Sequence, residues 1–379
     1  MAARFWVGGT GTWNNASTAN WSATTGGASG ASAPTSADTV TFDGNSGTGT
    51  CTTAAGSACS SMTLNTQTVA LVLGANHTAS GSFVLTQGSI DLAGFVLNST
   101  TVSSSNSNTR SIAFGSTGQI NLTATTGTLW TTSTSTGFTT TGTSKAVTAP
   151  NWAVGTRTFN FGAVAETVAM NVSITAGTDT VSLQGRYFTL NTTGFTGTIG
   201  ATSRSIYSSL TIGAGATYAS TATTTSFIGT SGNHTITTNN VTIDGAITFD
   251  STGGTYTFAD ALTQSASRNF IFTNGTVKLK NSATSTVGAF STTGTNQKFL
   301  MSSVAGSQAT LSQASGTVSA SYLTIQDINA TGGATWDAFV DQNNIDAGNV
   351  DGWNFGISPV VGGSEYTYQL RSFTQPRRF

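Results

Sequence analysis

Charge is what this 379-residue chain has least of: 7% of its residues are Asp, Glu, Lys or Arg, against about a quarter in an ordinary soluble protein. Glu occurs only at Glu166 and Glu365, and Lys only at Lys145, Lys278, Lys280 and Lys298. The residues that clothe exposed helix faces are nearly missing, so a helical fold is not expected. The net charge of −1 leaves no basic face for a phosphate backbone, which argues against nucleic acid as a partner. No run approaches the ~18 apolar residues of a membrane-crossing helix, so membrane insertion is not expected. The opening MAARFWVGGTGTW has no apolar leader core before its glycines, which speaks against a secreted bacterial adhesin. The two cysteines, Cys51 and Cys59 in TCTTAAGSACS, read either as small buried β residues or as a local disulfide. With no His near them in sequence they do not make a zinc site.

What the chain does have is Ser, Thr, 45 Gly and 21 Phe. β-branched and aromatic residues suit pleated, half-buried surfaces, and Gly suits the turns between them. Apolar residues alternate in short runs such as TVTFDG, TVALVLG, RTFNFG, NVTIDGAITFD, GTYTFAD and NFIFTNGTVKLKNS. The alternating stretches within them span four to eight residues and are bounded by Gly, Asn, Asp, Ser or Thr, as short strands are. In NVTIDGAITF, Val241 and Ile243 lead into Asp244–Gly245 and the alternation resumes at Ile247 and Phe249; the Asp-Gly step is a hairpin turn or the corner of a coil. Whole-chain disorder is at odds with 9% aromatics and near-zero net charge.

An all-β chain of this kind fits a sandwich series, a barrel or a β-solenoid. The solenoid is the expectation, because its ends need unlike capping segments and most of the seven Trp sit at the ends. Trp6, Trp13 and Trp21 open the chain, and Trp336, Trp353 and Phe355 close its ordered pattern. The expected organisation is a cap or attachment segment over 1–45, a body over 46–320 with a seam near 140–152, a second cap over 321–355, and a linker with an arm over 356–379. In that arm Tyr366, Tyr368 and Leu370 alternate like a strand, and Arg371, Arg377 and Arg378 gather positive charge. Such an arm can add a strand to a neighbour and pair its Arg with carboxylates.

Chemistry-bearing residues are few. Asp327, Asp337, Asp341, Asp346 and Asp351 crowd the C-terminal cap, where Asp serves turns. As a calcium loop, the stretch from Asp341 fails at its fifth and sixth positions, occupied by Ile345 and Asp346. Asp244, Asp250 and Asp260 on neighbouring strands raise the question of a glycosidase pair, and read more simply as turn residues. His77 and His234, each in an Asn-His-Thr setting, mark coil exits. No G-x-S-x-G elbow occurs, and GGTG is not followed by Lys. No cofactor or metal is expected, and no catalytic residue.

The two ends carry a resemblance. Trp6, Gly8, Gly9, Gly11 and Trp13 form W-x-G-G-x-G-x-W, followed by Trp21–Ser22 and by Pro34, Asp38, Val40 and Phe42 in a P-x-x-x-D-x-V-x-F pattern. Near the other end stand Tyr322, Asp327, Gly332, Gly333, Trp336, Gly348, Gly352, Trp353 and Phe355. Both segments resemble the termini of a group of phage and marine-virus virion proteins, and the first also resembles autotransporter-associated β-strand repeats. The likeness covers roughly the first 45 and some 35 later residues. It departs from the group's frequent GGNNTGWNF ending, reading DAGNVDGWNF here. The resemblance implies a non-enzymatic, solenoid-like virion component: a surface fibre, spike or decoration. Other virion proteins would be its partners, with assembly as a symmetric homo-oligomer, a trimer first, and with host surface glycans as weak contacts. A carbohydrate-degrading tailspike and an adhesin passenger are the alternatives.

Overall fold

The computed structural model describes residues 1–151, 155–219 and 223–359. Those residues wind into an all-β solenoid of about 14 turns, half strand and almost free of helix. A full turn lays strands on three faces, and strands pair in parallel with those one turn on, apart from Trp21–Ser22, which pairs antiparallel with Ala3–Trp6. Face 1 runs from Ala3–Trp6 through Thr39–Phe42 and Ser61–Asn65 toward Thr198–Ile199 and Thr217–Tyr218. Face 2 starts with Gly11–Trp13, Gly49–Thr53 and Val69–Leu73. Face 3 starts with Ala58–Cys59, His77–Ala79 and Val96–Ser99 and reaches Ile345–Asp346. Between paired strands a turn takes as few as 18 residues, from Thr180 to Thr198, and as many as 40, from Gly11 to Cys51.

The period-two alternation becomes two kinds of column. On face 1, Val40, Met62, Phe83, Val102, Trp130, Phe159 and Leu183 lie in register one above another, and all are buried. On face 3, Leu97, Ile120, Val147, Val172, Leu190, Leu210, Ile236 and Phe258 do the same. Their outward neighbours on face 3 are Asn98, Asn121, Thr148, Ser173, Asn191, Thr211 and Thr237. Parallel stacking puts like beside like at ~4.8 Å, so an amide such as Asn121 donates directly to Asn98, at 3.0 Å. The core is a continuous apolar cylinder, and the surface is a set of polar ladders.

The Asp244–Gly245 step is a corner, not a hairpin: the strands on either side of it pair in parallel with neighbouring turns. Residues 1–45 and 321–355 are themselves turns of the solenoid, since Ala3–Trp6 and Gly11–Trp13 at one end, and Leu323–Gln326, Ile328–Gly332 and Thr335–Asp337 at the other, belong to the ladders. Gly352, one of the recurrent positions of the closing motif, has φ +77° and would place a Cβ 2.0 Å from the Ala330 carbonyl oxygen one turn below. Only Gly fits that approach. Around the expected seam, faces 1 and 3 continue from turn to turn. Face 2 is interrupted there: residues 161–170 carry no strand, and its ladder resumes at 185–187. The arm residues Tyr366, Tyr368, Leu370, Arg371, Arg377 and Arg378 lie outside the described residues.

Candidate functional site

The Trp residues of both ends are packing groups. Trp6, Trp13 and Trp21 are fully buried, and Trp21 arrives on a strand antiparallel to Ala3–Trp6. Its ring meets Trp6 and Trp13 edge-on at 5.1 and 5.2 Å, geometry that the aromatic quadrupole favours. At the other end Trp336 is buried, while Trp353 and Phe355 are half-buried against the core. Trp336 and Trp353 are 4.9 Å apart, and Phe290 lies about 6 Å from each.

The five C-terminal Asp side chains each serve a different turn. Asp327 accepts from the Gly306 N–H and from Asn349 Nδ2, Asp337 from Asn354 Nδ2, and Asp346 from the Gly348 N–H. Asp351 accepts from Gln308 Nε2. Asp341 accepts from the Ser358 hydroxyl and N–H, which hold its carboxyl below the usual range. Among the described residues no three His, Cys, Asp or Glu side chains converge as metal ligands would.

Asp244, Asp250 and Asp260 occupy the three corners of a single turn: before face 2, between faces 2 and 3, and after face 3. Asp244 pairs with Arg268 at 2.7 Å. Asp250 heads a ladder through Asn274 and Asn296, and Asp260 accepts from the Thr238 N–H. Carboxylates on different corners of one turn do not flank a common sugar, which a glycosidase pair must do.

Cys51 and Cys59 are free thiols, both buried. Burial pushes the Cys59 thiol up to about 12 and that of Cys51 higher, so neither is a nucleophile. Sequence spacing hid a neighbour: His77, one turn on, brings Nε2 to 3.8 Å from Cys59 Sγ and Nδ1 to 3.1 Å from Ser57 Oγ, with the Trp13 ring 4.7 Å away. Burial drives the imidazole pKa down to about 4. The unfolded chain, with a His pKa near 6.5, takes up the proton first. The stabilisation is therefore complete above pH 6.5 and is lost as the pH falls toward 4, on the order of 3 kcal/mol in all. Urea midpoints at pH 7.5 and 4.5 should fall much more for the native protein than for His77→Leu. Equal falls would remove His77 as the cause.

The sequence reading missed four buried cations. Arg110, Arg157, Arg204 and Lys298 are each at most 2% exposed, each opens a strand, and none has a carboxylate in contact among the described residues. Backbone carbonyls surround them instead. Arg110 donates to the carbonyls of Ser104, Asn108, Thr134 and Thr136 and to the Ser104 hydroxyl at 2.6–3.2 Å. An aromatic ring from the following turn covers each cation: Phe138, Phe195, Tyr218 and Tyr322 at 5.4–5.9 Å. The signal was parity. In RSIAF, RTFNF, RSI and KFL the cation shares its face with the buried residues.

The interruption of face 2 shapes the surface. Residues 161–170 are tied down by the Tyr207 hydroxyl, which donates to the Val164 carbonyl at 2.9 Å. Glu166 reaches three turns along to accept from the Thr230 hydroxyl at 2.6 Å. On one flank lies a recess of about 360 Å³ lined by Lys145, Glu166, Phe188, Asn171 and Thr230. On the other, a trough of about 360 Å³ follows the corner between faces 1 and 2, from Ser133 past Asn160, Gln184 and Arg186 to Ser203, Ser205 and Ser226. It crosses five turns, about 19 Å along the axis at the usual strand spacing. Comparison with family models, with curated proteins and with solved structures gave no match to this chain.

Proposed function

We propose that this protein is a non-enzymatic structural component of a virus particle, displayed on the particle surface as a fibre, spike or decoration and aiding attachment to the host. The observation that carries the non-enzymatic part is the dispersal of its carboxylates: those described above each serve a turn, and Asp244, Asp250 and Asp260 stand on separate corners. About 14 stacked turns make a rod of roughly 65 Å at ~4.8 Å per strand, with polar ladders outside and an end sealed by three Trp. Such a rod suits a spacer whose backbone amides are held in ladders and withheld from proteases. The virion assignment rests on the resemblance of the two ends to virion proteins, and the partners it implies are other virion proteins and further copies of the chain, as a trimer.

A mass-spectrometric inventory of purified particles tests the assignment. Peptides spanning the chain are expected at many copies per particle, and their absence from particles that infect normally would overturn it. A second assay addresses chemistry. Asp244→Asn, Asp250→Asn and Asp260→Asn are expected to leave particle assembly and host adsorption within about twofold of native, as surface turn substitutions do. Release of reducing ends from host polysaccharide by the native protein, abolished by one of the three, would make it a glycosidase.

A further inference from the structure

We infer that the trough along the corner between faces 1 and 2 is a binding site for an extended acidic oligosaccharide, laid parallel to the solenoid axis with one sugar carboxylate on Arg186. The inference rests on the attachment reading and gives it a location and a ligand class. The side chains that line the trough are mainly hydroxyls and amides, from Ser133, Asn160, Gln184, Ser203, Ser205 and Ser226, with Arg186 and Arg204 beside them. Arg186, Ser205 and Ser226 are register neighbours on successive turns, so donors and acceptors recur at ~4.8 Å. A polyol chain with a regular repeat matches such a row. A globular ligand does not.

Arg186 supplies the charge selectivity. Among the described residues one of its five N–H donors is engaged, by the Tyr207 hydroxyl at 3.2 Å. That hydroxyl is itself anchored on Val164, so the guanidinium is held in place. No carboxylate lies within ion-pair distance of it among the described residues, where the ion pair is Arg268–Asp244. A planar fork with free donors is matched by a carboxylate, bidentate. Arg204, which also lines the trough, is buried, and one accessible cation over five turns is too few for a nucleic-acid backbone. Strand addition by a peptide is also closed off, because 185–187 and Arg204–Ile206 are paired with neighbours on both sides or covered by residues 161–170. The trough is built into the backbone: a Cβ on Gly185, where φ is +98°, would lie 2.6 Å from the Gly162 nitrogen.

The test is calorimetric titration of the purified full-length chain with a galacturonic acid hexasaccharide and with its carboxyl-reduced neutral counterpart. The native protein is expected to bind the acidic chain at least about tenfold more tightly than the neutral one, the scale of one charge-assisted hydrogen-bond pair. Arg186→Gln should erase that difference, while Lys278→Gln on face 3 should preserve it. Ser205→Tyr, which fills the trough and leaves Arg186 in place, should weaken both ligands. Equal binding of the acidic chain by the native protein and both trough variants, or no binding by the native protein, would overturn the site. Adsorption of labelled protein to host cells, run in parallel, separates the two readings. Native protein and Arg186→Gln adsorbing equally would sink the trough and leave attachment standing, whereas no adsorption by native protein would sink attachment itself.

Discussion

Arg110→Met should destabilise the solenoid by about 3 kcal/mol or more, with the damage localised to the turns around residues 104–110 and 134–138. The side chain is fully buried and donates to four carbonyls drawn from two successive corners, with the Phe138 ring 5.5 Å from its guanidinium carbon. Burying a cation costs heavily unless its hydrogen bonds are supplied. Here they are supplied by groups that would otherwise be orphaned themselves, since corner carbonyls point inward with no strand to pair them. Met fills much of the volume but donates nothing, and each buried carbonyl left unpaired costs ~1–3 kcal/mol, offset in part by the desolvation that Met avoids. Arg4→Met is the control: Arg4 bonds Ser32 at an exposed site and should change stability by less than about 0.5 kcal/mol. Urea denaturation gives the magnitude, and hydrogen exchange gives the place. An unchanged midpoint for Arg110→Met would show that the carbonyl cage contributes nothing net.

Trp13→Ala should cost about 3–5 kcal/mol, as large-to-small changes at fully packed aromatic sites do. Trp13 touches Trp21, Phe42 and His77 at ring distances of 5.2, 6.4 and 4.7 Å, so its loss removes the centre of the N-terminal seal. Among the described residues the Trp13 indole N–H has no acceptor, so Trp13→Phe removes an unsatisfied donor along with some volume and should cost less than about 1.5 kcal/mol. The Ala variant should also self-associate, because an unsealed solenoid end presents open strand edges. Denaturation midpoints with size-exclusion chromatography check both effects. A Phe variant as damaged as the Ala variant would mean that the indole N–H, not the packing, is what the site needs. Trp353→Ala at the far end, where the ring is half-buried, should cost clearly less than Trp13→Ala.

Much of this molecule is determined by local pattern. Alternation in TVTF, RTFNF and VALVL dictates which side chains face inward, because a strand turns successive residues to opposite sides whatever it pairs with. Scarce charge and abundant Ser, Thr and Gly exclude helices and point to short strands with tight corners, and Trp at both ends marks where the repeat must stop. The same parity held the buried cations in plain view at Arg110, Arg157, Arg204 and Lys298, where a presumption that charge faces water hid them.

Other features exist only once the turns are stacked. Cys59 and His77 become neighbours across 18 residues, Glu166 and Thr230 across 64, and Asp244, Asp250 and Asp260 are separated onto three corners although the chain runs through them in quick succession. The reason is the length of a turn. It varies from 18 to 40 residues with the size of each corner, and no local preference sets that size. A strand with apolar residues on one side fits any rung of a parallel stack. Which rung it takes, which outward groups line up along the axis, and where residues 161–170 open a trough beside Arg186 are settled by the summed packing of all the turns, an interaction that no short window of sequence contains.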